Sequence, residues 1–111
     1  YPILVQVQTM TQNKSKGISM SADNGIYIAC FPNGDMRVAY CSDSVIYELD
    51  SHWYTPEESR DAIVDIFGGS TLYRDSALAG LAALTLQEEI GYTEYGVCHV
   101  NFLANFGELR E

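Results

Sequence analysis

At 111 residues, with 47% hydrophobic and 12% aromatic residues, the chain is long enough for one domain with a single core and too apolar for general disorder. Its formal net charge is −9, from 6 basic and 15 acidic side chains. This balance lacks the basic stripe that duplex DNA or RNA requires, and no run reaches the roughly 18 apolar residues of a membrane span. We therefore expect neither a nucleic acid polymer nor a membrane among its partners.

The first residues differ in composition from the rest. Residues 1–19 contain both lysines and a polar, turn-like stretch at 11–17, which is typical of a linker. We expect residues 1–19 to be an extension or linker and residues 20–111 to form a single α+β domain. The lead-in at 21–25 predicts a tight turn, because Asp23 and Asn24 can bond their own backbone, although such a polar loop can also bind an anion.

Residues 25–41 give the strongest local signal, because two runs of β-formers flank the turn Pro32-Asn33-Gly34. Proline has no N–H for a strand ladder, so a three-residue loop with Gly34 in the left-handed position fits best. This turn predicts that Phe31 pairs with Asp35 and that side chains alternate between two faces. The face predicted to be core carries Ile26, Ile28, Cys30, Met36, Val38 and Tyr40, and the other carries Tyr27, Ala29, Phe31, Asp35, Arg37 and Ala39.

The later elements complete a small α+β domain. The pattern predicts a third strand over 45–49, a helix over 56–67, an extended piece over 70–73, a helix from 75 or 76 to 90, a strand over 93–103 and a loose tail over 104–111. The order β-β-β-α-β-α-β predicts a two-layer α+β fold, an antiparallel sheet of four to five strands with two helices on one face.

The two predicted helices differ in their signals. Thr55, Pro56 and Glu58 form a capping box with proline in the first turn, and Gly68-Gly69 predicts a left-handed cap at the end. The second helix is apolar almost all round between residues 77 and 86, so it is either central in the fold or packed against another subunit.

The sequence lacks the motifs that are typical of catalysis or metal binding. The three cysteines, Cys30, Cys41 and Cys98, lack C-x-x-C spacing and are interpreted as reduced residues of a cytoplasmic protein. His99 follows Cys98 directly, and adjacent strand residues point to opposite faces, so the two cannot form a dyad. With no metal-ligand spacing and no phosphate-binding glycine loop, we expect a non-enzyme with no cofactor and no metal.

The second face of the hairpin is the predicted binding surface. Tyr27, Phe31 and Arg37 can stack a base or clamp a phosphate, joined by the polar side of the last strand if that strand is adjacent. The alternative is that this face is buried against a second subunit or a helix.

Three stretches resemble a known family. They are Ser21-Ala22-Asp23-Asn24-Gly25-Ile26-Tyr27-Ile28, Met36-Arg37-Val38-Ala39-Tyr40 and Glu94-Tyr95-Gly96-Val97. Together they resemble small bacteriophage proteins of the Thoeris anti-defence sponge family, which sequester cyclic ADP-ribose signals made by bacterial TIR proteins. The resemblance covers roughly residues 20–103, and Tyr40 stands where the pattern favours histidine.

This resemblance implies a function. It implies a phage-encoded, non-catalytic homo-oligomer in the cytoplasm of an infected bacterium, which holds a small cyclic nucleotide in pockets between subunits. The residues expected to bind the ligand are Asn24, Tyr27, Phe31, Arg37, Arg74, Tyr95, His99 and Asn101.

The charge pattern leaves a second function open. Several carboxylates lie close together in sequence and can form an acidic surface: Asp50, Glu57, Glu58, Asp61, Asp65 and Asp75. Such a surface is typical of an acidic inhibitor that binds a basic host defence protein, of the anti-CRISPR or DNA-mimic type.

Overall fold

The computed structural model describes residues 8–9, 24–50, 55–91 and 93–109, which form an α+β domain as predicted. The elements are β1 Gln8–Thr9, β2 Asn24–Cys30, β3 Met36–Ser42, α1 Asp43–Asp50, α2 Pro56–Phe67, β4 Leu72–Tyr73, α3 Ser76–Ile90, β5 Val97–Asn101 and α4 Phe106–Leu109. Over these residues, no helix is long and apolar enough to cross a lipid bilayer.

The strands form one mixed sheet in the order β1-β5-β2-β3-β4. β2 and β3 pair antiparallel, whereas β5 pairs with β2 in parallel. The expectation of an antiparallel sheet is therefore wrong at the centre of the sheet. Three helices separate β3 from β5, and a connection of that length can return a strand in the parallel direction.

The hairpin has the predicted register. Cys30 pairs with Met36 and Ile26 pairs with Tyr40. The turn is closed by the Phe31 N–H, which donates to the Asp35 carbonyl at 2.9 Å, while Gly34 has a φ of 94°. The left-handed glycine and the three-residue loop thus fix the side-chain alternation along β2 and β3.

Both faces of the sheet are covered, which corrects the two-layer prediction. Ile26, Ile28 and Val38 pack against α3 on one face. On the other face, the side chains of β2 and β5 pack against residues of α1, α2 and α4. The five consecutive residues 25–29 of β2 are all buried, as expected for a central strand between two helical layers.

Residues 45–49, predicted as a strand, belong to helix α1. The sequence alternates Val45, Tyr47 and Leu49, but Tyr47 is 69% exposed while Ile46 and Leu49 are buried. Ile46 and Leu49 are three residues apart and meet the core from one helix face, so helical spacing, and not alternation, describes the burial.

The helix ends follow the predictions in most details. Thr55 and Glu58 form the capping box of α2, and Asp75 caps α3. Gly68 is right-handed, with φ −65°, so the predicted left-handed cap is wrong, and its N–H continues the helical pattern to the Val64 carbonyl.

The two ends of the described chain contain a short helix and a short strand. Residues 106–109, predicted as a loose tail, form α4 and bury Phe106 and Leu109. Of the predicted extension 1–19, the described part is Gln8–Thr9, which pairs with β5. The rest of that prediction lies outside the described residues.

Candidate functional site

Tyr27, Phe31 and Arg37 share one face of the hairpin, as predicted, but helices cover that face. Tyr27 is fully buried and Phe31 is 4% exposed. The Phe31 ring stacks on Phe102 at 5.2 Å between centroids and meets Phe106 edge-on at 5.8 Å. The prediction that this face is open for a ligand is therefore wrong within the described chain, and the alternative of burial against a helix is the one observed.

The Tyr27 hydroxyl joins the central strand β2 to the first turn of α1. It donates a hydrogen bond to the Asp43 carboxylate, which lies in the first turn of that helix. Burial, followed by this bond to a carboxylate, raises the pKa of Tyr27 far above its usual value. The hydroxyl therefore stays protonated and acts as a structural donor.

Arg37 connects the sheet to the loop that follows α2 and to α4. Its Nη1 donates to the Ser70 carbonyl at 2.7 Å, and its guanidinium carbon lies 4.3 Å from the centre of the Phe106 ring. The Nε atom is buried and has no hydrogen-bond partner among the described residues. A guanidinium over an aromatic face is favourable when desolvated, so Arg37 contributes to packing between layers.

His99 and Asn101 lie on the opposite face from Tyr27. β5 is adjacent to β2, as the prediction required, but His99 pairs with Ile28 and Asn101 with Cys30 in a parallel register. These partners belong to the face that packs on α3. The expected cluster of His99 and Asn101 with the aromatic–arginine face is therefore not formed, whereas Tyr95 packs beside that face.

Asn24 joins the three stretches that carry the family resemblance. Its Oδ1 accepts from the Glu94 N–H at 3.2 Å, and its Nδ2 donates to the Tyr40 hydroxyl at 2.8 Å. Its carbonyl accepts from the Tyr95 N–H at 3.0 Å. A Cβ on Gly25 would lie 3.1 Å from the Gly96 carbonyl, so a glycine lets β2 approach this segment closely. The described residues of the three stretches, 24–28, 36–40 and 94–97, thus pack together in one part of the fold.

Arg74 is the most exposed of the residues predicted to bind the ligand. Its side chain is 76% exposed, and its Nε donates to Asp35 Oδ1 at 2.9 Å. The ion pair uses one edge of the guanidinium, and surface pairs of this kind are weak. Arg74 can therefore contact an anion from solvent at the start of α3.

A surface hollow of about 470 Å³ lies between β4 and α3. One of its lining residues, Tyr73, directly precedes Arg74 in the sequence. Its lining residues are Tyr73, Leu78, Leu81, Ala82, Thr85, Leu86 and Glu89. The volume falls within the range of about 300–1,000 Å³ that small-molecule sites occupy. The walls are mainly apolar, and their polar groups are the hydroxyls of Tyr73 and Thr85 and the Glu89 carboxylate.

Sequence reasoning missed this hollow, although a signal was present. Leu78, Leu81 and Leu84 are 55%, 62% and 55% exposed, on the side of α3 that turns away from the sheet. A helix with one side on the sheet normally has a polar outer side, but this helix is apolar almost all round. The pattern therefore indicated a second apolar surface on the side that faces away from the sheet.

The described residues form no cluster of metal ligands. No group of three or more His, Cys, Asp or Glu side chains within the described ranges is arranged to hold a metal ion.

Burial raises the pKa of Cys41 to about 12 and that of Cys98 to about 11, with the nearby Asp43 adding to both effects. These thiols stay protonated near neutral pH.

Comparison of the chain with protein-family models, with curated protein sequences and with solved structures finds no match.

Proposed function

We propose that this chain binds a small cyclic nucleotide signal and sequesters it without degrading it, as an anti-defence protein in an infected bacterium. The observation that carries the proposal is the hollow of about 470 Å³ between β4 and α3. The class of ligand comes from the family resemblance of residues 21–28, 36–40 and 94–97. The proposed site lies on the exposed side of α3 and not on the buried face of the hairpin.

The lining residues supply the contacts that a nucleoside needs. The Tyr73 ring can stack on a base, and Leu78 and Leu86 offer an apolar wall. The Glu89 carboxylate accepts hydrogen bonds from a base amino group or from ribose hydroxyls. Arg74, next to Tyr73 and 76% exposed, is the cation suited to the phosphates.

The acidic character of the chain opposes an anionic ligand. The net charge of −9 repels phosphates at long range, and Glu89 lies in the hollow itself. The screening length is about 8 Å at physiological salt, so distant carboxylates act weakly on a bound ligand. A contact between Arg74 and a phosphate at close range can therefore offset them.

Native mass spectrometry tests this proposal. The purified chain is incubated with cyclic ADP-ribose isomers and with cyclic di- and trinucleotides. We expect one of these to be retained by the wild type and to be lost from Thr85→Trp, whose indole fills the exposed side of the hollow.

The matched control for that variant is Ser44→Trp. Ser44 is exposed on α1, on the other side of the sheet, so the added indole leaves the hollow unchanged. Ligand loss from both tryptophan variants, or retention of the nucleotide by Thr85→Trp, would contradict the assignment of the hollow.

A second candidate function rests on the outer face of α2. Glu57, Glu58, Asp61 and Asp65 are all exposed there. A row of carboxylates on one helix fits an inhibitor that binds a basic host protein, the alternative that the charge pattern left open.

The two candidates differ in their response to mutation and salt. Charge reversal by Asp61→Lys with Asp65→Lys weakens binding of a basic protein and leaves nucleotide retention unchanged. Binding through this acidic face would also weaken as salt rises, since screened surface charges dominate the association. A protein that retains nucleotide with both lysines present is not acting through α2.

A further inference from the structure

The outward side of α3 is an apolar face with a charge at each end. Leu78, Leu81 and Leu84 are 55%, 62% and 55% exposed. Arg74 precedes the helix with its side chain 76% exposed, and Glu88 in the last turn is exposed as well. The buried side of the same helix, Ala79 and Ala83, already packs on the sheet.

This face is arranged symmetrically about Leu81. At 100° per residue, Leu78 and Leu84 flank Leu81 by about 60° on either side, and Glu88 lies close to the direction of Leu81, while Arg74 stands two residues before the helix begins. Leu78 and Leu84 are each three residues from Leu81 along the chain, and Arg74 and Glu88 are each seven residues from it. Reversal of the helix direction about Leu81 therefore exchanges Leu78 with Leu84 and brings the end that carries Arg74 to the end that carries Glu88.

We infer that a second copy of this chain docks on α3 with its own α3 antiparallel, about a two-fold axis at Leu81. A two-fold interface requires a surface that complements itself, so that residue i meets residue j and residue j meets residue i. Leu81 meets the partner's Leu81, and Leu78 meets the partner's Leu84. Each Arg74 uses Nε for Asp35 of its own chain, and the remaining N–H donors of its guanidinium can meet the partner's Glu88, which gives two ion pairs.

Charge complementarity favours a second copy over an unrelated partner. The chain carries a net charge of −9, so two copies repel each other unless opposite charges meet locally. The described face provides this match at both ends with residues of the chain itself. The three exposed leucines between the charges supply the apolar centre that protein interfaces place inside a polar rim.

The inferred dimer goes beyond the proposed function and does not depend on a ligand. Leu78 and Leu81 also line the hollow between β4 and α3, so a second copy would cover one side of it. A chain that stays monomeric and still retains nucleotide would overturn the dimer and leave the proposed function intact. A ligand-free dimer that retains no nucleotide would do the reverse.

Sedimentation velocity without ligand, in moderate salt and over a wide range of concentration, tests the inference. We expect the wild type to dimerise and Leu81→Glu to be monomeric. Leu81 occurs twice at the axis, so its loss should raise the dissociation constant on the order of 100-fold or more. The matched control is Leu103→Glu, since Leu103 is 57% exposed and lies outside α3, and this variant should still dimerise.

Charge reversal tests the antiparallel register. Arg74→Glu and Glu88→Arg should each weaken the dimer several-fold, and the double variant should recover much of the loss because the two charges then exchange places. Arg74 also pairs with Asp35 in its own chain, so Asp35→Asn serves as the control that removes this internal pair and retains the dimer.

Circular dichroism confirms the fold of each variant before sedimentation. A wild type that is monomeric at every concentration overturns the inference, as does a folded Leu81→Glu variant that dimerises like the wild type. A double reversal that is no better than the single variants overturns the antiparallel register.

Discussion

Substitution of Phe31 tests whether this face of the hairpin is buried core or an open binding face. The side chain is 4% exposed, and its ring contacts Phe102 and Phe106 at centroid distances of 5.2 and 5.8 Å. Removal of a buried phenylalanine to alanine costs about 3–5 kcal/mol, from lost burial and from the cavity left behind. Two aromatic contacts of about 0.5–1.5 kcal/mol each are lost as well, which favours the upper part of that range.

We therefore expect Phe31→Ala to lower the free energy of unfolding by about 4 kcal/mol, a large share of the roughly 5–15 kcal/mol of a typical domain. Urea unfolding followed by circular dichroism at 222 nm measures this change. The control is Leu103→Ala, which should cost less than about 0.5 kcal/mol because Leu103 is 57% exposed. A loss below about 1 kcal/mol for Phe31→Ala would refute the assignment of this face to the core.

Two further predictions concern buried polar and titratable groups. Tyr27→Phe removes a buried donor to the Asp43 carboxylate and should cost about 1–3 kcal/mol, and in a double-mutant cycle with Asp43→Asn the two effects should fall short of additivity. The pKa values of Cys41 and Cys98 are raised from 9.0 to about 12 and about 11 by burial, so both thiols are protonated below pH 9 whether the chain is folded or unfolded. Above pH 9 the unfolded chain releases these protons first, and stability should fall as pH rises, by about 1.4 kcal/mol per pH unit for each thiol. Urea midpoints measured in reducing buffer between pH 8 and about 11 should show this decline, and Cys98→Ala should flatten it; an unchanged slope in that variant would contradict the role of Cys98.

Local signals in the sequence were sufficient for the hairpin and for most helix ends. The turn Pro32-Asn33-Gly34 predicted the loop length, and the loop length fixed the register of β2 and β3. Thr55 and Glu58 predicted the capping box of α2. These features depend on residues within a few positions of one another, so the sequence contains the whole interaction.

Features that depend on distant segments were predicted less well. The period-two pattern of Val45, Tyr47 and Leu49 indicated a strand, but tertiary burial of Ile46 and Leu49 favours a helix. The parallel pairing of β5 with β2 is set by the path of three helices, which no local pattern describes.

The candidate site could be predicted only in part. The alternation along β2 correctly placed Tyr27 and Phe31 on one face. It carried no information about the helices that bury this face, because they come from distant parts of the chain. His99 and Asn101 were assigned to that face from a strand whose register was unknown, and the parallel register places them on the other side. The hollow combines β4 with α3, and its shape follows from packing that the sequence pattern does not specify.

The most direct test of the central claim is the chemical state of a released ligand. The chain is saturated with the nucleotide that it retains, washed, and heated until it unfolds, and the released compound is identified by liquid chromatography with mass spectrometry. Sequestration predicts the unchanged nucleotide, in an amount near one per chain or one per dimer, from the wild type and from Ser44→Trp but not from Thr85→Trp. A hydrolysed product, or no nucleotide from any of the three proteins, would contradict the account.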